Sequence, residues 1–268
     1  MGKSKRAIII GCGIAGPAAA IFLKRAGCDP FIYEAMPEHD DYAGLFLNVA
    51  RNGVRILQEL GVAERIRREG VEMRIMSFQS GSGKWLGNVG QPDGEPQGYT
   101  IKRGVLHRVL REEAERQGIP VKFGKRLVDL RMTGDNVIAY FADGSSVTGD
   151  FLVGCDGIHS RLRQLILPNA AQPAYTGLIS FGGFAHRAAV PQQPGTQHMI
   201  FGKKAFFGYL VKEGGEIYWF GNIEYPGTPT RQELEAIPEA EWRRRISELY
   251  QDDPHPVPEI IRQTTSKI

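Results

Sequence analysis

Ala7-Ile8-Ile9-Ile10-Gly11-Cys12-Gly13-Ile14-Ala15-Gly16 is the stretch on which the fold turns. Ala7 to Ile10 is a short β-branched run, suited to a strand buried on both faces. The glycines follow at once in the spacing GxGxxG. Ala18 to Ala26 then reads as a helix closed by Gly27, because it holds good helix formers ahead of a residue that tolerates a left-handed backbone. Phe31-Ile32-Tyr33-Glu34 is the next strand. Strand, glycine turn, helix and strand make a βαβ unit, whose right-handed crossover leaves the two strands parallel neighbours.

The glycine pattern alone is weak, but its context is specific. Gly11 allows a tight turn, Gly13 lets the backbone approach a pyrophosphate, and Gly16 lets the helix pack close to the sheet. The N-terminus of that helix faces the anion. Glu34 ends the second strand, where a carboxylate accepts hydrogen bonds from ribose hydroxyls and disfavours a 2′-phosphate. This predicts dinucleotide binding without saying which dinucleotide.

Working outward, Asn52 to Leu60 and Gly104 to Gln117 read as helices ending at Gly61 and Gly118. From Val121 the texture becomes β. Val121–Phe123, Leu127–Arg131, Val137–Phe141 and Val147–Val153 are separated by turn pairs at Gly134-Asp135 and Asp143-Gly144, which predicts a meander. A second β region runs from Leu178 to Tyr225, with a hairpin at Gly214-Gly215. Thr230 and Glu233 have capping-box spacing for a helix interrupted at Pro238 and resumed from Trp242 to Tyr250. A proline-rich break from Asp252 to Pro258 precedes a last short helix.

Composition sets the outer bounds. The 268 residues suffice for one large domain or two modest ones. The 33 basic and 30 acidic residues are scattered, so a net charge of +3 marks no nucleic-acid surface. Three distant cysteines (Cys12, Cys28, Cys155) offer neither a disulfide framework nor a zinc site, which favours a reducing, cytoplasmic compartment. The six histidines show no ligand spacing, so no metal is expected. Lys3, Lys5 and Arg6 before the apolar stretch imitate a signal peptide, but Gly11, Gly13, Gly16 and Pro17 interrupt it. Ile9-Ile10-Gly11-Cys12 imitates a lipoprotein cleavage site, and Met1-Gly2 imitates a myristoylation start, which Arg6 spoils. Other apolar runs are too short to span a bilayer. Gly81-Ser82-Gly83-Lys84-Trp85 imitates a P-loop end, yet Phe78 stands where its first glycine belongs and Trp85 replaces the magnesium-binding hydroxyl. A hairpin turn is expected there.

A second motif, Asp150-Phe151-Leu152-Val153-Gly154-Cys155-Asp156-Gly157-Ile158-His159-Ser160-Arg161-Leu162-Arg163, reads as strand, tight turn and helix. Here the chain resembles the class A flavoprotein monooxygenases, the family with the p-hydroxybenzoate hydroxylase fold. Their GxDGxxSxxR element is matched at Gly154, Asp156, Gly157, Ser160 and Arg163. Gly44-Leu45-Phe46-Leu47, Asn52-Gly53 and Leu60-Gly61 look like the family's stretch after the ribose-binding acid. The resemblance implies an α/β fold: a Rossmann-like FAD-binding domain with a parallel sheet and a β-meander, and a smaller, mainly antiparallel substrate domain. The first is expected over residues 1–75 and 100–175, the second over 76–99 and 176–268. It implies FAD contacts at Gly11, Gly13, Ile14, Ala15, Gly16, Glu34 and Ala35, at Arg103 ahead of the 104–117 helix, at the Leu127 main chain, and at Asp156 on the flavin side.

The activity so implied is hydroxylation of an aromatic or polycyclic small molecule, using O2 and NADPH or NADH through a C4a-hydroperoxyflavin. FAD carries that chemistry, and no catalytic side chain is singled out. Phe206, Phe207, Tyr209, Tyr218, Trp219 and Phe220 are expected to build the substrate wall, mostly as core. Other readings are a flavin-dependent oxidoreductase of the same superfamily, an NAD-dependent dehydrogenase, or a flavin-binding protein without turnover. The WxWxIP pattern of flavin halogenases is absent from the sequence. So is the family's third motif, a GDAAH-like turn that seats the isoalloxazine. Both Gly-Asp pairs, Gly134-Asp135 and Gly149-Asp150, fall in the meander. Ile260 to Ile268 resembles the helix before that motif, so a further segment or second chain is expected to complete the fold.

Overall fold

The computed structural model describes residues 4–39, 44–91, 96, 98–186 and 189–266. The chain divides into two compact units. One comprises Met1–Gly44, Arg55–Glu69 and Lys102–Ala174, the other Leu45–Val54, Gly70–Ile101 and Tyr175–Ile268. Residues 45–54, 70–75, 100–101 and 175, expected from the sequence in the first domain, group with the second unit. Met1-Gly2 and the final residues Lys267 and Ile268 lie outside the described residues.

The first unit is built on a parallel sheet. Its strand order is Phe151–Gly154, Arg6–Ile10, Asp29–Tyr33, Val121–Lys122. The predicted neighbours pair in parallel register, with Ile8 opposite Phe31 and Ile9 opposite Ile32. Ala7, Ile8 and Ile9 are fully buried, as an apolar strand between two layers must be. The Ala15–Arg25 helix makes the crossover and buries Gly16, Pro17, Ala20 and Ile21. Beside this sheet lies the meander, Leu127–Thr133, Asn136–Phe141 and Ser146–Gly149, all antiparallel. Ile8, Tyr33, Leu127, Val137, Ala139, Phe141 and Leu162 form the core of this unit.

Two details of the predicted meander are corrected. Val121–Lys122 belongs to the parallel sheet, beside Ile32 and Tyr33. The run from Val147 to Val153 is two strands broken at Asp150. Asp150 closes a clasp on Arg6: the Arg6 N–H donates to Asp150 Oδ2 over 2.6 Å, and the Asp150 N–H donates to the Arg6 carbonyl over 2.9 Å. Residues before the clasp pair with the meander and residues after it with the parallel sheet. A continuous β-branched texture carries no mark of such a change of partner.

In the second unit a six-stranded sheet runs in the order Leu178–Ala185, Ile217–Glu224, Phe206–Val211, Thr196–Phe201, Ile75–Ser80, Trp85–Gly90. Only the Thr196–Phe201 and Ile75–Ser80 pair is parallel. The Gly81 to Lys84 stretch is the hairpin turn expected in place of a P-loop. The helices Glu239–Tyr250 and Val257–Arg262 supply Ile246, Tyr250, Val257, Ile260 and Ile261 to a core shared with Ile200, Phe207, Tyr209 and Trp219. The Thr230–Glu233 capping box is formed. The last helix spans only Val257–Arg262, because Thr264 leaves it to bridge Ala185 and to accept the Trp219 indole N–H over 2.9 Å. A small sheet of Phe46–Ala50, Gly98–Lys102 and Val71–Met73, and the Ala63–Glu69 helix of the first unit, are absent from the sequence reading. These are short elements with no repeating apolar pattern of their own.

Candidate dinucleotide site

The glycine loop is shaped by contacts that leave no room for side chains at two positions and open room at a third. Gly11 has φ +104°, and a Cβ there would stand 2.4 Å from the Cys155 carbonyl oxygen. A Cβ on Gly16 would stand 1.9 Å from the Gly11 carbonyl oxygen. Gly13 differs, since a Cβ there meets nothing within 4 Å. The space over Gly13 is open at the start of the Ala15–Arg25 helix, where unpaired N–H groups and the helix dipole attract an anion. That is the cradle a pyrophosphate requires.

Glu34 is tied to this loop. Its Oε2 accepts the Cys12 N–H over 2.7 Å, and its Oε1 accepts the Met36 N–H over 2.9 Å. An ionised carboxylate has about four acceptor positions, so two remain for hydroxyl donors. Burial, and then the Glu34 charge, push the Cys12 thiol up to about 12.

The second motif folds into a self-bonded corner. The Ser160 hydroxyl donates to Asp156 Oδ1 over 2.6 Å, and the Leu162 N–H donates to Asp156 Oδ2 over 3.1 Å. Ser160 Oγ also accepts the Arg163 N–H over 2.9 Å, capping the Arg161–Ile166 helix. The Arg163 guanidinium donates to the Ile158 carbonyl. The spacing of Asp, Ser and Arg is therefore first a rule for building this turn. The turn is fixed to the first strand by the Cys155 N–H, which donates to the Ile10 carbonyl over 2.7 Å.

These pieces surround one cavity of about 520 Å³, within the usual range for small-molecule sites. Gly11, Gly13, Ile14, Ala15, Glu34, Ala35, Arg103, Leu127 and Asp156 all line it. Gly16 does not, because it packs beneath the loop against Gly11. The sequence reading missed His107, Lys125, Arg126, His159 and Arg161, which also line the cavity. Lys125 donates to Asp143 Oδ2 over 2.5 Å and to Ser145 Oγ over 2.8 Å, and Arg161 donates to the Val128 carbonyl over 2.9 Å. The Arg126 guanidinium makes no hydrogen bond or ion pair among the described residues. The available signal was the basic pair Lys125-Arg126 immediately before Leu127.

A second cavity, of about 280 Å³, lies in the other unit, lined by Leu45, Phe46, Leu47, Asn48, Ser180, Phe181, Gln197 and Phe220. Of the six aromatics expected to form a substrate wall, only Phe220 lines it. Phe207, Tyr209 and Trp219 belong to the core under the helices. No helix among the described residues is long and apolar enough to cross a membrane.

A family model described as an FAD binding domain matches residues 5–258. The FAD-dependent urate hydroxylase of Klebsiella pneumoniae is 31% identical over 82% of this chain and 58% of its own length. The 6-hydroxynicotinate 3-monooxygenase of Bordetella bronchiseptica is 32% identical over 69% of this chain and 48% of its own length. Among solved structures, Klebsiella pneumoniae HpxO complexed with FAD and uric acid superposes with a TM-score of 0.82 at 26% identity, over 97% of this chain and 65% of that one. The chain thus spans about half to two thirds of the length of these relatives. With its glycine loop, the Glu34 carboxylate and the Asp156 corner around one cavity, the chain belongs to the class A FAD-dependent monooxygenase family.

Proposed function

We propose that this protein is an FAD-dependent monooxygenase that uses NADPH or NADH and O2 to hydroxylate an aromatic or polycyclic small molecule. The observation that carries this reading is the cavity over Gly13, which joins an open anion cradle to the Glu34 carboxylate and to the Asp156 corner. In it, the loop from Gly11 to Gly16 holds the pyrophosphate of FAD and Glu34 accepts from the adenosine ribose hydroxyls. Ala35 and the Leu127 main chain flank the adenine, and Arg103 meets the phosphates from the rim. Asp156 stands on the flavin side. The first unit is then the FAD-binding domain and the second the substrate domain.

Bound FAD supplies hydride acceptance and oxygen activation, while the protein positions the reactants and excludes water. Three free cysteines fit a cytoplasmic setting.

The test supplies FAD, NADPH and ¹⁸O2 with a panel of aromatic compounds. Substrate-stimulated NADPH oxidation with ¹⁸O in the product is expected. Oxidation without labelled product would mark a flavin reductase instead, and no oxidation would mark a flavin-binding protein without turnover.

A further inference from the structure

The six-stranded sheet of the second unit has two unlike faces. On one, His198 stacks on Tyr209 at 4.5 Å and Ile200 and Phe207 enter the core under the helices. Gln197, next along the same strand, points the other way, to Asn48. That second face holds the 280 Å³ cavity, walled by Phe46 and Phe220 with ring centroids 5.8 Å apart.

The polar groups of this cavity are all neutral. Asn48 Nδ2 donates to Gln197 Oε1 over 2.7 Å, and the Thr100 hydroxyl donates to Asn48 Oδ1 over 2.6 Å. Ser180 donates to Asn222 Oδ1 over 2.7 Å. Thr100 and Gln197 are each only 1% exposed. With its carbonyl satisfied by Asn48, the Gln197 carboxamide keeps its N–H edge without an acceptor among the described residues. If the two amides are turned over, the Gln197 carbonyl is the edge left free. Either way one hydrogen-bonding edge of Gln197 has no protein partner among the described residues and is left for a ligand or water.

We infer that this cavity selects a planar, uncharged ring bearing a cyclic amide, whose adjacent C=O and N–H answer the free edge of Gln197 against the apolar wall of Phe46 and Phe220, whose rings meet edge to face at 80°. A lactam carries both a donor and an acceptor on one edge, so it matches either orientation of the carboxamide. An aromatic carboxylate would surrender its hydration to a lining that offers no cation. The cavity volume suits a ring system of one or two rings. This inference rests on the monooxygenase reading, since it names the substrate class for that activity.

The experiment measures binding to the FAD-supplied 268-residue chain by calorimetry with three probes. These are 2-pyridone, 6-hydroxynicotinate (the same lactam with an added carboxylate) and phenol, which lacks the lactam edge. The expected result is 2-pyridone binding at least about tenfold more tightly than either, a difference of about 1.4 kcal/mol by the affinity relation. Gln197→Leu should abolish the advantage over phenol. Asn48 is exposed, so Asn48→Lys should fold, and the added cation should shift preference toward 6-hydroxynicotinate. The inference is overturned if 6-hydroxynicotinate binds as tightly as 2-pyridone to the unmodified chain, if Gln197→Leu keeps the lactam preference, or if no probe binds. The monooxygenase reading fails separately. If 6-hydroxynicotinate, and not 2-pyridone, drives ¹⁸O incorporation, that reading stands and the preference for an uncharged ring falls; if none of the three drives it while 2-pyridone binds as expected, the monooxygenase reading falls and the binding inference stands.

Discussion

The Cys12 N–H donates to the Glu34 carboxylate over 2.7 Å, so the glycine loop and the acid at the end of the neighbouring strand form one mechanical unit. The bond places a fixed negative charge beside the cradle at a definite distance from the open space over Gly13. Under the proposed function Glu34 has two duties, holding the loop and presenting its remaining lone pairs to the ribose.

Glu34→Ala should therefore weaken ADP and FAD binding by about 1.5–3 kcal/mol, the range for hydrogen bonds to a charged group. The loss corresponds to roughly 10- to 150-fold in Kd. The variant also strands the Cys12 and Met36 N–H groups, so some loss of folding stability should accompany it. Calorimetry on both proteins decides the point, since equal affinities would remove Glu34 from the ribose role.

The three loop glycines should respond differently to alanine. Gly16→Ala drives a Cβ to within 1.9 Å of the Gly11 carbonyl oxygen, and so should cost about 3 kcal/mol of stability or more. Gly13→Ala meets no protein atom within 4 Å, so stability should change by no more than about 0.5 kcal/mol. Its ADP affinity should nonetheless fall steeply, because the methyl group occupies the cradle. Denaturant melts paired with ADP titrations separate the two effects. A destabilised Gly13→Ala that still binds ADP normally would contradict this division of roles.

Ser160 bonds both Asp156 and the Arg163 N–H. Ser160→Ala should cost about 1–2 kcal/mol, the range for a lost helix cap, and Ser160→Thr should recover part of it. An unchanged denaturation midpoint would show that the corner is held by its backbone bonds alone.

The glycine turn of the first unit and the residues around its cavity were largely legible because backbone geometry dictates the turn. Only glycine fits at Gly11 and Gly16, and a side-chain acceptor at the end of the adjacent strand answers the Cys12 N–H. Those constraints act over a few residues and leave fixed spacings. The change of partner at Asp150 was not legible, since it depends on a clasp to Arg6, 144 residues away in sequence. The basic residues Lys125, Arg126 and Arg161 were missed for a similar reason. They reach the cavity from strand and helix starts, where charged residues are ordinary. In the second unit the β texture was plain, but which aromatics face the helices depends on strand register. That register put Trp219 and Phe207 in the core and left Phe220 at the cavity.

Cys12 should behave as an unreactive thiol. Its folded value of about 12 exceeds the ordinary value of 9.0, chiefly through burial. The neutral thiol is the form the fold favours, so its contribution to stability is complete below about pH 9 and is lost as pH rises from there toward about 12. At pH 8 iodoacetamide should modify the partly exposed Cys28 before Cys12, as peptide mass mapping would show. Rapid alkylation of Cys12 in the native protein would contradict its burial.

The cavity over Gly13 should seat the adenosine diphosphate half of FAD. Competition binding to the 268-residue chain among FAD, ADP and FMN tests it most directly, because FMN carries the isoalloxazine ring without the adenosine half. ADP should displace FAD from a single site that Gly13→Ala destroys, and FMN should bind at least about tenfold more weakly than FAD. FMN binding as tightly as FAD, or FAD binding that ADP cannot displace, would contradict the claim.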